Sequence, residues 1–567
     1  MSLTVVRKVN TTNSSRAEVH TATIELIQLC RAPKKSFPIR IAETKFVSIF
    51  AIVLCCVTTL PYVVGHLRIV PGTSFTGVLE HSLDSNNYLA YDNQSASGRW
   101  LFRNPMTAEP HSAVFFNLEW LVIGKLAAAF KISLAEATGV VRVICLTLMC
   151  FGVYWLSSFF LQEILGRRIA LVAIMSGGGF GWLAAVHLLR IPINSSYFLD
   201  LTNANLFPFY WALKLPHFLI SESLVVFSLC FFLRAEENVS SLDYVLAGAV
   251  YMGAGACRPY DMLFAMAATA LYIVVQCCKR NRLRSRTTLR LIPLLMCTPL
   301  LGYYFWIFKI HPIFRWWSFP GNPAPSPWLL ALGFGMSFLL ILIAGWRLRQ
   351  RTLSGSEEVM LCCFATASFL AYSHQMFHFS FQFATNILVP MVLIGLAGLE
   401  SRIRYWTQRS EWVRRAIVAL LIVNSFTSIA LAGQDVVLAA KGNFRTDSRL
   451  LEAFRWLNGH SNVNDIVLAD FNLSSQIPDY THNVVFCGYS NAVNFRQKLD
   501  SVTQFLSPRA SNESRTVFIR QTGASLVLLS TSEEHDLHLA DIHVLRQVFK
   551  NDLAVIFLVD LSTAIRN

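Results

Sequence analysis

Charge is what this sequence has least of. Asp, Glu, Lys and Arg make up only 14% of its 567 residues, against about 25% in an ordinary soluble protein. Hydrophobic residues make up 54%, which excludes a soluble globular chain and points to a polytopic membrane protein. Cysteine pairs at useful spacing are also missing. Nearly all of the 13 cysteines lie in or beside apolar runs, as in Cys55-Cys56, Cys277-Cys278 and Cys362-Cys363, with Cys487 in the polar C-terminal region. Without a CxxC or a Cys/His zinc spacing, neither a disulfide framework nor a metal knuckle is implied. The chain has no GxGxxG and no P-loop, so a nucleotide-cradling loop is not supported. No internal repeat is visible. The formal charge of +14 does not indicate a nucleic-acid partner, because the basic residues come in short runs between apolar spans, a topology signal.

What the chain has in abundance is long apolar runs. A spanning helix needs about 20 of them in sequence. Eleven candidates fall at 46–65, 138–161, 168–189, 215–233, 242–257, 261–278, 289–309, 326–346, 357–373, 383–400 and 414–433. The first lies behind roughly 45 polar, basic residues (the segment 1–45) and lacks a small-residue cleavage pattern, so it reads as a retained signal anchor. The stretch 113–131 is apolar but interrupted by Asn117, Glu119 and Lys125. If it lies in the interface without crossing, the basic runs at Arg167-Arg168, Lys279–Arg286, Arg347/Arg349/Arg351 and Arg402–Arg415 share one side with the N-terminus. The positive-inside rule makes that side cytoplasmic. The expected architecture is therefore a polytopic α-helical membrane protein of about eleven spans plus one outer juxtamembrane helix, with a transmembrane module over 46–433.

This orientation collects the polar residues outside. The loop 66–137 carries His81-Ser-Leu-Asp84-Ser-Asn-Asn-Tyr88-Leu-Ala-Tyr91 and continues to Glu109-Pro-His111. The sequons Asn93-Gln-Ser95 and Asn194-Ser-Ser196 fall on the same side. From 445 to 567 the composition changes. Helical spacing at Leu450–Leu457 alternates with short buried-strand patterns at 465–469, 483–486, 524–529 and 555–559. That pattern predicts a soluble exoplasmic α/β domain with a mostly parallel sheet.

Taken together, these motifs resemble bacterial members of the C-type (GT-C) glycosyltransferase superfamily, integral membrane enzymes that take a sugar from a polyprenyl-phosphate carrier. The resemblance rests on Asp84, Tyr88-Leu-Ala90, Gly98-Arg-Trp-Leu101 and Asn104-Pro105. It continues through Gly177-Gly-Gly-Phe-Gly-Trp-Leu183, Pro216-His217-Phe218, Arg258-Pro-Tyr260-Asp261 and Glu452–Leu457. The chain departs from the family pattern at Asn203-Ala-Asn205, where relatives tend to have a Glu. It also departs at Arg258, where they often have His, and at His374-Gln-Met-Phe-His378, where they often have basic residues. The resemblance implies an inverting transfer to an exoplasmic acceptor (a lipid, an envelope glycan or a protein) in the bacterial cytoplasmic membrane. The departures leave open a changed donor or an inactive scaffold. A transporter or flippase of a lipid-linked substrate is the other reading, with Arg142, inside the second span, as its main support.

Transfer from a lipid phosphate needs a base for the acceptor and stabilisation of the leaving phosphate. Asp84 is the expected base or metal ligand, against the alternative of a helix start. A divalent cation, Mg²⁺ or Mn²⁺, is the cofactor such a carboxylate would hold. Glu109 and His111 are candidates for an acidic or metal-binding rim, with Asp92 a weaker alternative to Glu109. Asp200 is a candidate second base or ligand, against a solvated loop acid. Lys214 and His217 are placed to meet the carrier phosphate, against a snorkelling anchor. Arg258 has either Asp261 or lipid phosphate as its partner. Arg315 with Trp316-Trp317 lines a lipid entrance or an aromatic belt. Tyr88 and Tyr260 are carried over as substrate-side residues from the family motifs. His374 and His378, four apart, are a candidate metal pair. Membrane lipid is an expected partner beside the polyprenyl-phosphate sugar and the acceptor.

Overall fold

The apolar runs fold into helices, and six of these are long and apolar enough to cross a membrane: Ala42–Leu67, Leu134–Ser157, Pro216–Asn238, Pro259–Cys278, Thr287–Ile310 and Ser380–Arg409. Two bent pairs raise the number to eight if each is one span: Pro327–Phe334 with Met336–Trp346, bent by 103°, and Glu411–Asn424 with Phe426–Ala440, bent by 44°. The computed structural model describes residues 41–560 except 81–82, 186–197, 215, 280–283, 318–323, 351 and 378. The sequence up to residue 40, the Asn194 sequon, Arg280, Arg282, Arg351 and His378 lie outside the described residues. Three of the eleven expected spans fall on the helices Ile164–Met175, Ser241–Cys257 and Gly355–Ala371, which have 12, 17 and 17 residues. Length and composition thus give six to eight spans among the described residues. The chain is an integral membrane protein.

The elements needed below are α1 (Ile41–Leu67), α2 (Leu83–Ala96), α3 (Leu118–Phe130), α4 (Ile164–Met175), α5 (Pro216–Asn238), α6 (Pro259–Cys278), α7 (Leu388–Arg409), α8 (Glu411–Asn424), α9 (Phe426–Ala440) and α10 (Phe471–Tyr480). The ambiguous stretch 113–131 becomes α3, a helix of 13 residues and about 20 Å long. Asn117 caps it by accepting the Trp120 amide at 3.2 Å, and its own Nδ2 donates to the Cys257 carbonyl at 2.7 Å.

Glycines pack at the breaks of both bent pairs. The segment Gly177–Gly181 follows α4 and is threaded between both breaks. A Cβ on Gly179 would meet the Gly333 carbonyl oxygen at 1.9 Å, and one on Gly177 the Ala173 oxygen at 2.0 Å. Gly335, at the 103° bend, has φ +51°, and a Cβ there would meet the Gly179 Cα at 2.9 Å, a conformation and an approach that favour glycine. At the other break, the Gly178 amide donates to the Asn424 carbonyl at 2.7 Å, and the Ser176 and Ser425 hydroxyls lie 2.9 Å apart. Such contacts supply the bonds that a broken helix loses.

Arg142 lies in Leu134–Ser157 and is buried, and the lipid-transport reading leaned on it. Its guanidinium donates to the Thr58 and Ala212 carbonyls at 3.2 and 2.6 Å and to the Thr59 hydroxyl at 3.1 Å. It lies 4.5 Å from the Tyr62 ring centre. It joins three segments of the bundle.

The C-terminal region forms a five-stranded sheet in the order β4-β3-β5-β7-β6, made of β3 (Ile466–Leu468), β4 (Val484–Val485), β5 (Leu526–Ser530), β6 (Leu545–Lys550) and β7 (Ala554–Val559). The expectation of a mostly parallel sheet needs correction. β3 pairs parallel with β4 and β5, but β7 pairs antiparallel with β5 and β6. The cause is the short connection Asn551–Leu553, which can only return the chain as a hairpin. Asn551 Oδ1 stabilises it by accepting the Leu553 and Ala554 amides at 3.0 and 2.8 Å.

Both faces of this sheet are covered. Val527, Leu529, Val555 and Phe557 face one core, and Leu526, Leu528, Ala554 and Ile556 face the other, the period-2 pattern of a strand. The second core includes Ala90 of α2 and Met106 of the loop beyond it. A two-stranded ribbon adds a further link: β1 (Thr73–Phe75) pairs antiparallel with β2 (Arg445–Asp447), and Arg445 Nη1 donates to the Gly65 and Arg68 carbonyls at 3.1 and 2.9 Å. The described residues from Phe46 onward therefore form one compact unit, in which the C-terminal sheet completes the fold of the first loop. The Asn93 amide, at one expected sequon, is tied to the Pro478 and Thr481 carbonyls at 3.1 and 2.9 Å.

Substitution of Gly179 by Ala is expected to lower stability by about 3 kcal/mol or prevent folding. Gly139→Ala, where nothing lies within 4 Å of the new methyl, is expected to be neutral or mildly stabilising. Thermal unfolding of both proteins in detergent micelles checks the pair; equal midpoints would refute this account of the bend.

Candidate functional site

Asp84 lies in the first turn of α2, where the helix dipole favours a negative charge. Tyr88 follows four residues later, on the same helix face. Asp84 is exposed, and its Oδ1 accepts a hydrogen bond from the Tyr489 hydroxyl of the C-terminal domain. Besides the Asn93 bonds, α2 is held against that domain where Asn86 Nδ2 donates to Ser475 Oγ of α10 at 3.0 Å and Asn491 Nδ2 to Asn87 Oδ1 at 3.2 Å.

From Asp84 the contacts run inward. The half-buried Tyr88 ring lies 5.8 Å from Trp120 and 4.7 Å from His217. His217 neighbours Phe218 at 4.4 Å, and the Arg258 guanidinium carbon lies 4.1 Å from the Phe218 ring centre. Arg258 is the residue before Pro259, at the start of α6. Its Nη1 donates to both Asp261 carboxylate oxygens at 2.9 Å and lies 3.5 Å from Glu222 Oε1, while Nη2 donates to the Gln382 carbonyl at 3.1 Å. Thr385 donates to Glu222 at 2.6 Å and Asn386 to Asp261 at 3.3 Å. Arg258, Asp261 and Glu222 are all nearly inaccessible, at 5%, 0% and 3% exposure. Removing one member would leave a buried charge uncompensated, at a cost of about 3–5 kcal/mol. Arg258 therefore has Asp261 and Glu222 as partners, and its Nε is buried without an acceptor among the described residues.

One side of this contact chain is an aromatic wall. Tyr91 stacks on Trp120 at 4.3 Å and 4°, and Trp317 stacks on Tyr91 at 6.0 Å and 9°. Trp317 thus joins the wall, while Arg315 is exposed. Tyr260 packs edge-on against Phe383 at 5.3 Å. Burial first, then Asp84 and Tyr489, push the Tyr88 phenol well above its ordinary range, so Tyr88 stays a hydrogen-bond donor at neutral pH.

Four expected site residues lie apart from this chain of contacts. The Asp200 carboxylate is buried in the glycine segment, where Oδ2 accepts the Gly179 and Gly181 amides, each at 2.9 Å, and Oδ1 the Gly181 amide at 3.1 Å. It is not the solvated loop acid of the alternative reading. Glu109 pairs with Lys498 of the C-terminal domain at 2.7 Å and accepts the Thr107 hydroxyl. His111 accepts the Asn104 amide on Nε2 at 2.9 Å and contacts the Glu109 carbonyl through Nδ1 at 2.7 Å. Burial holds its imidazole below the usual range. Lys214 pairs with Asp435 of α9 at 3.0 Å.

The donors present do not build a cage for a divalent cation. Among the described residues no three His, Cys, Asp or Glu side chains converge. His374 is exposed in a turn, and Asp84 meets a tyrosine.

No family model matches the chain, and no curated protein matches it in sequence. Solved structures do match in fold. ArnT from Cupriavidus metallidurans, bound to undecaprenyl phosphate, is 14% identical, with 91% of this chain and 98% of that one covered, at a TM-score of 0.52. The arabinofuranosyltransferase AftD from Mycobacteria is 13% identical, with 93% of this chain and 40% of that one covered, at a TM-score of 0.56. The chain has the GT-C fold.

Three groups near Asp84 and Arg258 were missed from sequence. Glu222 left a signal, since an acid inside an apolar run marks a buried site. Glu119 was visible only as an interruption of the 113–131 stretch. Tyr489 left none, because only folding brings it to Asp84. Glu119 is 5% exposed, and burial pushes its carboxyl up to about 8, against a smaller lowering effect from Arg258. Its folded value lies above its unfolded one, so the folded form holds a proton that the unfolded form has lost between about pH 4.5 and 8. The stability this group contributes is present below that window and falls as pH rises through it. The expected outcome is a thermal midpoint that drops from pH 5 to pH 8 in the wild type and drops less in Glu119→Gln. Unfolding curves at the two pH values check it.

Proposed function

We propose that this protein is a glycosyltransferase that takes a sugar from a polyprenyl-phosphate donor and passes it to an exoplasmic acceptor, a lipid, an envelope glycan or a protein. The observation that carries the reading is the continuous path from an exposed carboxylate, Asp84, through Tyr88 and His217 to the buried Arg258 cluster. It lies on a fold shared with a protein bound to undecaprenyl phosphate.

In this reading Asp84 is the general base. An acceptor hydroxyl loses its proton to the carboxylate as its oxygen bonds to the anomeric carbon. The bond from that carbon to the carrier phosphate oxygen breaks, and the phosphate leaves with the electron pair. Attack from the face opposite the phosphate inverts the anomeric centre. Tyr489 orients the carboxylate through its hydroxyl. The Tyr88 hydroxyl and the His217 ring are the groups on the path that can donate to the departing phosphate. Arg258, its charge matched by Asp261 and Glu222, positions Phe218 and His217. The aromatic wall supplies an apolar surface for the lipid end of the donor, and the C-terminal domain a surface for the acceptor.

The test is transfer of labelled sugar from a panel of polyprenyl-phosphate sugars by purified protein. Asp84→Asn is expected to lower the rate at least about 100-fold. Undiminished transfer would remove Asp84 from the role of base, and absence of transfer from every donor by folded wild type would favour an inert scaffold. Tyr489→Phe keeps the base and loses one hydrogen bond. It is expected to lower kcat by about tenfold with little change in KM for the donor. A loss confined to KM would assign Tyr489 to substrate binding instead.

A further inference from the structure

A large apolar groove lies away from Asp84, at the end of the bundle where α1 begins. Its volume is about 810 Å³, and it is lined by α1, α4, α7, α8 and the start of α9. Three features of the groove identify an occupant.

The first is its length. Along α1 it runs from Phe46 to Val57, about 16 Å at ~1.5 Å per residue, half of a hydrocarbon core of about 30 Å. Its inner end reaches Ser176 and Ser425, whose hydroxyls meet at 2.9 Å beside the glycine segment. The groove thus has the depth of one leaflet and stops near mid-membrane.

The second is its open side. Val53, Val418 and Ile422 line it and are 52%, 56% and 59% exposed, so an acyl chain can enter sideways.

The third is the charge at its mouth, where Arg168, Arg404 and Arg414 gather with Glu163 and Glu400. Most of these are matched. Arg404 pairs with Glu163 at 3.4 Å. Arg414 bonds the Thr407 carbonyl at 2.8 Å and Glu411 at 3.3 Å, and Glu400 accepts the Glu163 amide at 2.8 Å. Arg168 is different. Its guanidinium lies 4.6 Å from the Phe46 ring centre, its Nε is buried without an acceptor, and no hydrogen bond or ion pair reaches it among the described residues. A guanidinium at the mouth of an apolar groove is suited to a phosphate, which it can bind with two parallel hydrogen bonds.

We propose that this groove holds an anionic glycerophospholipid of the leaflet opposite Asp84, with the acyl chains along α1 and α4 and the phosphate on Arg168. The positive-inside pattern makes that leaflet cytoplasmic. The site is separate from the sugar-transfer site and does not rest on that reading. By bracing α1, α4 and the bent pair α8–α9 together, the lipid links the membrane composition to the stability of the bundle.

Native mass spectrometry of the full chain in detergent tests this, with added dioleoylphosphatidylglycerol, dioleoylphosphatidylcholine or undecaprenyl phosphate. Wild type is expected to retain phosphatidylglycerol over phosphatidylcholine. Arg168→Gln is expected to retain it about tenfold less, the loss of one charge-assisted contact. Ile422→Trp, a change at the exposed rim that the fold can accept, is expected to lower retention of both phospholipids without lowering the thermal midpoint in detergent alone. Asp84→Asn is expected to leave retention unchanged. No retained lipid in wild type, equal retention of the two phospholipids, retention unaffected by Arg168→Gln, or displacement by undecaprenyl phosphate would each overturn the proposal.

Discussion

A polar group held away from water must find its partner inside the protein, and this constraint shapes the molecule more than any single apolar contact. The apolar runs are interchangeable in large part. The polar exceptions are not. Asp200 gathers the amides of the glycine segment, Arg142 gathers carbonyls from two other segments, and Arg258 is held by two carboxylates and a carbonyl. Each fixes segments that hydrophobic packing alone would leave free to slide, because one apolar helix face serves about as well as another in an apolar medium.

The path from Asp84 to Arg258 uses the same device. The buried Arg258 cluster fixes the ends of α5 and α6, and with them His217 and Phe218. Tyr88 then packs against His217, and Tyr88 and Asp84 share a face of α2. The position of an exposed carboxylate is thus set by charges buried deeper in the fold. The C-terminal domain closes the arrangement from the other side through Tyr489, Ser475 and Asn491.

What could be read in the sequence follows from which interactions are local. The apolar runs, the helix that carries both Asp84 and Tyr88, the pairing of Arg258 with Asp261 three residues on, and the alternation of strand and helix beyond residue 445 are all written in neighbouring residues. Partners far apart in the chain were not legible. Nothing near Lys214 announces Asp435, nothing near Glu109 announces Lys498, and nothing near Asp84 announces Tyr489. The antiparallel half of the sheet was missed for a different reason. Residues 545–550 are buried unevenly along the strand and lack the apolar run that marks a central strand, so the hairpin they form with β7 was hidden. Composition shows where apolar residues lie and not where a helix ends or bends, so three of the eleven expected spans fall on helices of 12 to 17 residues and two on bent pairs.

The bond between Asp84 and Tyr489 closes a separation of 405 residues, and the β1–β2 ribbon closes one of similar length. A ribosome adding ~5–20 residues per second needs roughly 20–80 s to cover that distance. During that interval the first loop has left the translation machinery while the domain that shares its core does not yet exist. Ala90 and Met106 then lack the sheet that buries them in the finished fold. The path that starts at Asp84 is likewise incomplete until Tyr489 and the strands around it have been made.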